Sequence, residues 1–157
     1  MQKHTGYRPN VAAIVLSSEY PNKCVFMLSR RNGMKRGWQF PQGGIDDGES
    51  AVNALMRELK EEIGTNEVEI LAEYPEWISY DFPQSTKGHL YPFRGQTQKY
   101  FLVRLRSNAK IDLFAHEVPE FEEYRFVGLD ELFKRATFLK RRSYRRVIDY
   151  FIKEGML

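Results

Sequence analysis

Cysteine is almost absent: one residue, Cys24, in a chain of 157. It excludes an internal disulfide framework, and its setting at the head of the stretch VFMLSRR marks it as a small strand residue rather than a nucleophile. No run approaches the roughly 18 apolar residues of a membrane span, so no membrane partner is expected. The opening MQKHTGYRPN lacks the apolar core of a secretory signal, and a cytoplasmic location is the expectation. There is no repeat and no low-complexity tract. Net charge is only +3, so the whole chain is no polycation, and no DNA partner is expected.

What is present is enough for one packed domain spanning 1–157, with 42% hydrophobic residues, 14% of all residues being aromatic. The charges are unevenly placed. Acids gather at Asp46, Asp47, Glu49, Glu58, Glu61 and Glu62. Bases gather at Lys134, Arg135, Lys140, Arg141, Arg142, Arg145 and Arg146. An acidic cradle near a basic surface suits a polyanionic substrate, whereas a basic helix alone is as often a solvated face.

Hydrophobic patterning predicts strands over 11–16 and 25–29, separated by the turn Tyr20-Pro21-Asn22, and another over 38–40. Further strands are predicted over 68–74, continued at 77–80, and over 98–105 and 124–127. Residues 81–94, rich in proline, glycine and polar residues, read as a loop. Short and terminal helices are expected over 130–136 and 143–152. Helices that interrupt strands without regular alternation predict an α/β fold with a mixed sheet covered on both faces.

The stretch GGIDDGESAVNALMRELKEEIG over 43–64 carries the chemistry. Asp47-Gly48 makes a turn, helix periodicity starts near Glu49 and Ser50, Val52, Leu55, Leu59 and Ile63 form an apolar stripe, and Gly64 is placed to cap the end. Glu58, Glu61 and Glu62 then fall at i, i+3 and i+4 on one face. At about 6 Å and an effective dielectric near 20, one ionised pair of this kind costs about 3 kcal/mol. A solvated helix with Arg57 paired to Glu61 is the ordinary reading of E-x-x-E-E alone. The preceding strand and glycines favour instead a hard divalent cation held by oxygen ligands.

The arrangement of Gly43, Glu49, Arg57, Glu58, Leu59, Glu61, Glu62 and Gly64 resembles the Nudix box, here 43–65, with Thr65 in place of the final aliphatic residue. The resemblance implies an α/β/α sandwich with a central mixed β-sheet. It also implies a hydrolase in which water attacks phosphorus of a nucleoside diphosphate derivative. Glu58, Glu61 and Glu62 would hold Mg2+, or Mn2+ in its place, and one of them would act as base. Gly43 and Gly44 would allow close backbone approach to metal or phosphate, and Arg57 would brace a loop carboxylate such as Glu49.

Outside the box, GYRPNV at 6–11, WQFPQGG at 38–44, GQTQKYF at 95–101, PEF at 119–121 and YRRV at 144–147 resemble the bacterial RNA 5′-pyrophosphohydrolases and their dinucleoside polyphosphate hydrolase kin. By that resemblance Glu120 is a further metal ligand or base. Arg8 and Gln96 contact bases, Gln42 joins the substrate-binding set, and Arg31 and Lys140 hold 5′ phosphates. Leu139 stands where those enzymes carry a base-stacking aromatic, with Phe138 one residue earlier. The expected reaction removes pyrophosphate from 5′-triphosphorylated RNA. The alternatives are hydrolysis of diadenosine tetraphosphate, a promiscuous nucleoside triphosphate pyrophosphohydrolase and, more remotely, a non-catalytic nucleotide or RNA sensor.

Overall fold

The first strand explains the layering. In β1 (Tyr7–Leu16) Ala12, Ile14 and Leu16 face one side, and Val11, Ala13 and Val15 face the other, all at most 2% exposed. Alternate side chains of a strand point to opposite faces, so a strand buried on both must lie between two layers. The computed structural model describes residues 6–83 and 92–157 and shows both layers. After β1 come β2 (Phe26–Arg31), β3 (Trp38–Gln39), β4 (Gln42–Gly44), α1 (Ala51–Ile63), β5 (Val68–Glu73) and β6 (Ile78–Asp81). The chain continues through β7 (Gly95–Leu105), β8 (Phe121–Val127), α2 (Leu129–Arg135) and α3 (Phe138–Lys153).

The strands run in the order β3-β2-β1-β7-β5, with β4 on β1, β6 on β7 and β8 on β2. β1 and β7 pair in parallel from Tyr7↔Gly95 to Leu16↔Arg104, whereas the other pairings are antiparallel. The sheet is thus mixed, and the fold is an α/β/α sandwich. One face packs Leu55, Leu59 and Ile63 of α1 against Val11, Val15, Phe101 and Val103. The other packs Tyr144, Val147, Ile148 and Phe151 of α3 against Ile14, Tyr100 and Leu102.

The two neighbours of β1 on one edge take different parts of it. β2 meets it only at Leu16↔Phe26, and β4 pairs from Asn10↔Gly44 to Ala12↔Gln42. The sheet opens between β2 and β4, and the mouth of that opening is where the acids of α1 arrive.

Several element boundaries differ from the sequence reading. The glycine segment after Pro41 is a strand, because its backbone pairs with β1. The segment expected to continue β5 over 77–80 is a separate strand, β6 over Ile78–Asp81, since it pairs with β7 below the place where β5 does. Helix α3 begins at Phe138, five residues earlier than expected, with no side-chain cap on its first turn to announce it. Val52 is exposed rather than in the apolar stripe, and Cys24 is exposed in the segment before β2. Most of the loop expected over 81–94 lies outside the described residues.

Candidate active site

Helix α1 starts where Ser50 accepts a hydrogen bond from the Asn53 N–H at 3.1 Å, a serine N-cap. It ends at Gly64, whose φ of +78° places it in the left-handed region. A side chain there would also overlap the Asp112 backbone. Thr65, the departure from the box pattern, is buried and accepts from the Glu67 N–H at 3.0 Å, so its hydroxyl closes a turn that an aliphatic residue would leave unmade.

Arg57 ties the helix to the strand beside it. Its guanidinium reaches Glu49 through two hydrogen bonds and donates to the Gly44 carbonyl at 2.8 Å and to Glu58 Oε1 at 2.7 Å. Glu61 lies 3.6 Å away. Arg57 therefore does brace Glu49, which in turn accepts from the Asp46 N–H at 3.0 Å. With so many anions around it, this arginine holds its proton more tightly than usual, the Glu49 hydrogen bond contributing most.

Glu62 is the buried member of the acid set, 6% exposed, with Oε2 accepting from the Gln42 N–H at 3.1 Å. Burial, then the charges of Glu58 and Glu120, push its carboxyl well above the usual range. Glu58 is also raised, by burial first, although Arg57 opposes the shift. Gly43 lies directly against Glu58: a Cβ at that position would overlap the carboxyl group. Gly44 plays the same part for Arg8, whose guanidinium lies over it. The close approach these glycines permit in this structure is thus to two side chains of the chain itself.

Opposite the helix, the sheet offers Arg31 and Glu120, both about half exposed and 3.7 Å apart as an ion pair. A bulge between Arg30 and Arg31 against β8 sets them there, and Asn32 donates its N–H to the Glu120 carbonyl at 2.9 Å. Arg8, Arg31, Gln42, Gly43, Gly44, Glu58, Glu61, Glu62, Gln96 and Glu120 all line one cleft of about 440 Å³. Glu49, Arg57 and Gly64 do not line it.

Two expected substrate residues stand elsewhere. Leu139 is half exposed and does not line the cleft. Lys140 is 6% exposed; its ammonium donates to Gln42 Oε1 and, at 2.8 Å, to Tyr80 OH. Burial first, then the Arg31 charge, bring its pKa down to about 7. Lys140 thus touches the cleft through Gln42, one layer behind the wall. Its surroundings form a polar seam: Tyr80 donates to Gln96, and Gln98 donates to Asn10 and Gln42.

The sequence reading missed Asn10, Gln39, His116 and Val118 in the cleft lining and Tyr80 and Gln98 in the seam. A polar Gln98 at the head of an apolar strand was the available signal for the seam. His116 and Val118 belong to an irregular loop whose position local pattern does not encode.

The donor chemistry fits a hard cation. Glu62 is a buried carboxylate beside Glu58 and Glu120, and Arg57, which meets Glu58, is also committed to Glu49 and Gly44. A divalent ion with oxygen ligands would offset that excess negative charge. Among the described residues the side chains are not already gathered as three ligands about one point, Glu58 being turned to Arg57.

Fold and cleft together define an α/β/α enzyme with a site for a polyanion. The chain belongs to the Nudix family: the profile described as NUDIX domain matches residues 6–150. It is 62% identical over 157 residues to an RNA pyrophosphohydrolase of a Sulfurovum species, covering 100% of both chains. It is 60% identical over 149 residues to an RNA pyrophosphohydrolase of a Nitratiruptor species, covering 95% of this chain and 96% of that one. Among solved structures, the dihydroneopterin triphosphate pyrophosphohydrolase of E. coli superposes with a TM-score of 0.71 at 16% identity, over 91% of this chain and 98% of that one, a likeness of fold. Nudix hydrolases generally use divalent metal ions. Among the described residues, no helix is long and apolar enough to cross a membrane.

Proposed function

We propose that the chain hydrolyses the 5′-triphosphate end of RNA, releasing pyrophosphate and leaving a 5′-monophosphate. The observation that carries this reading is the cleft itself, where Glu58, Glu61, Glu62 and Glu120 face Arg8 and Arg31. Full-length likeness to enzymes named RNA pyrophosphohydrolase supports the choice of substrate.

Glu58, Glu61, Glu62 and Glu120, with the Gly43 carbonyl, would hold Mg2+, for which Mn2+ can stand in. When bound, such ions lower the pKa of water and screen the phosphate oxygens. The protein's own part is positioning and charge. Arg31 binds the phosphate chain, its fork matching phosphate oxygens in a way a point charge does not. On binding it exchanges its pairing with Glu120 for the substrate. Lys140, reached through Gln42, adds positive charge behind the phosphates. Arg8, laid over Gly44, and Gln96 face the nucleotide. Glu62 is held by the Gln42 N–H, and its proton affinity, raised by burial and then by Glu58 and Glu120, marks an excess of negative charge that a cation would balance.

The test is a substrate panel with magnesium: 5′-triphosphorylated RNA, diadenosine tetraphosphate and free nucleoside triphosphates, with products separated and identified. RNA ending in a 5′-monophosphate, formed faster than the free nucleotides are cleaved, is the expected result. An unchanged RNA end beside brisk hydrolysis of a free nucleotide would reject the reading.

A further inference from the structure

The polar seam behind the cleft has a direction, and Lys140 sets it. An ammonium donates and never accepts, so Gln42 presents its side-chain oxygen to Lys140. The same oxygen accepts from Gln98 Nε2 at 2.9 Å. Gln98 therefore turns its amide nitrogen this way, and its other N–H goes to Asn10 Oδ1 at 2.8 Å. On its far side Gln98 Oε1 accepts from Tyr100 OH at 2.9 Å. Gln98 is fully buried. Turned over, it would set its oxygen against two other oxygens.

One group is left over. With its oxygen held by Gln98, Asn10 has its amide nitrogen free, and no described residue accepts from it. Asn10 is 2% exposed and lines the cleft. Among the described residues the buried side-chain atoms without a partner are Ser29 Oγ, Arg104 Nε and Arg141 Nε. The Asn10 nitrogen also lacks a partner and is not one of them, so it is open to the cleft. An amide nitrogen has no lone pair to offer a cation, and its partner must be an acceptor. In a cleft for a polyanion that acceptor is a phosphoryl oxygen.

The sheet places the contact along the substrate. Arg8 stands opposite Gln96, Asn10 opposite Gln98, and Ala12 opposite Gln42. Asn10 thus lies two residues, about 7 Å, from Arg8 and toward Gln42, whose N–H holds Glu62. Arg8 and Gln96 face the nucleotide and Glu62 faces the metal, so Asn10 falls where the phosphate nearest the ribose lies.

We infer that the Asn10 side-chain amide donates to an oxygen of the phosphate nearest the ribose, and that Gln98 is the positioning residue that turns this amide toward the cleft. The inference rests on the proposed reaction, although it needs only a phosphorylated 5′ end and not RNA in particular.

The experiment measures kcat, KM and melting temperature on triphosphorylated RNA with magnesium. The proteins are wild type, Asn10→Asp, Asn10→Ser, Gln98→Met and the double variant N10S/Q98M. Asn10→Asp keeps an oxygen for Gln98 and sets a second oxygen where the amide nitrogen stood. It should lose kcat/KM about 100-fold, the scale of a removed oxyanion donor. Asn10→Ser is uncharged and too short to reach, and should lose about 10-fold. Gln98→Met keeps the volume and releases the amide to turn; it should lose about 5-fold. Its loss should be smaller in the Asn10→Ser background, because its effect passes through Asn10. A loss of the same size in both backgrounds would make Gln98 merely structural and overturn its role. Without metal, where nothing is cleaved, Asn10→Asp should weaken binding of the triphosphorylated RNA and leave that of the same RNA with a 5′-hydroxyl unchanged. Wild-type kcat/KM in Asn10→Asp, or equal loss of affinity for both RNAs, overturns the inference. If wild type leaves the RNA end uncut, the substrate reading falls by itself. Asn10 is then decided by metal-free binding of ATP and adenosine: a loss confined to ATP supports the contact, and an equal loss or none overturns it.

Discussion

Arg57 grips Glu49 with both arms of its guanidinium, Nε to Oε2 at 2.9 Å and Nη2 to Oε1 at 2.8 Å, across eight residues of sequence. The pairing fixes α1 against the turn that precedes it. It also holds the Glu49 carboxyl at about 2, with help from the Asp46 N–H. A carboxyl depressed in the fold adds stability above its free value near 4.5, and loses it as pH falls toward 2. Glu49→Gln should therefore unfold at lower urea than wild type at pH 7, and the gap should narrow steadily below pH 4.5. Parallel stability curves for the two proteins would refute this account of the pair.

Glu62 gives a prediction in which stability and activity part company. Its carboxylate is buried beside Glu58 and Glu120, so without a cation it is a source of repulsion. Glu62→Gln keeps an oxygen for the Gln42 N–H and removes the charge. In chelator the variant should melt at or above the wild-type temperature. Magnesium should then stabilise wild type far more than the variant; a ligand at 100 times its Kd adds about 2.7 kcal/mol to the protein that binds it. Turnover of triphosphorylated RNA should fall at least about 100-fold, the scale of a lost acid–base group. An equal magnesium response in both proteins would remove Glu62 from the metal site.

Gly43 is tested by its neighbour. A methyl group there overlaps the end of the Glu58 side chain, which is flexible, rather than any backbone. Gly43→Ala should thus fold with only a small change in melting temperature while Glu58 is displaced and kcat falls about 10-fold or more. A variant with wild-type kcat would show that Glu58 works from another position.

These residues also show how far the sequence could be read. The acids of α1 were legible because helix spacing alone places i, i+3 and i+4 together, the Arg57–Glu49 brace only through the resemblance to the Nudix box, and β1 and β7 were legible where they run mostly apolar, over 11–16 and 100–105, but not in their polar first residues. The nature of β4 was not, since two glycines carry no strand pattern and pair only because β1 lies beside them. The start of α3 was hidden for a related reason. Its first turn, Phe138-Leu139-Lys140-Arg141, has no capping side chain, and Lys140 points inward only because Gln42 and Tyr80 offer it oxygen atoms. A long-range polar partner of this kind leaves no local signature.

Lys140 supplies the last prediction. Its ammonium faces Arg31, which lowers its proton affinity, and Glu62, which raises it, with Gln42 and Tyr80 as hydrogen-bond partners. Burial dominates, and the native pKa falls to about 7 from the free value of 10.5. Below pH 7 folded and unfolded chains both carry the proton. Between 7 and 10.5 only the unfolded chain does, so native stability rises with pH across that window. Each tenfold loss of proton affinity is worth about 1.4 kcal/mol, so the whole rise amounts to a few kcal/mol at most. Lys140→Met removes the group: its unfolding free energy should lack the rise between pH 7 and 9.5 and should equal or exceed that of wild type at pH 6. Its KM for triphosphorylated RNA should increase, because positive charge behind the phosphates is lost. Urea titrations at pH 6, 8 and 9.5 decide the matter, and identical pH slopes for the two proteins would mean that Lys140 titrates as an ordinary surface lysine.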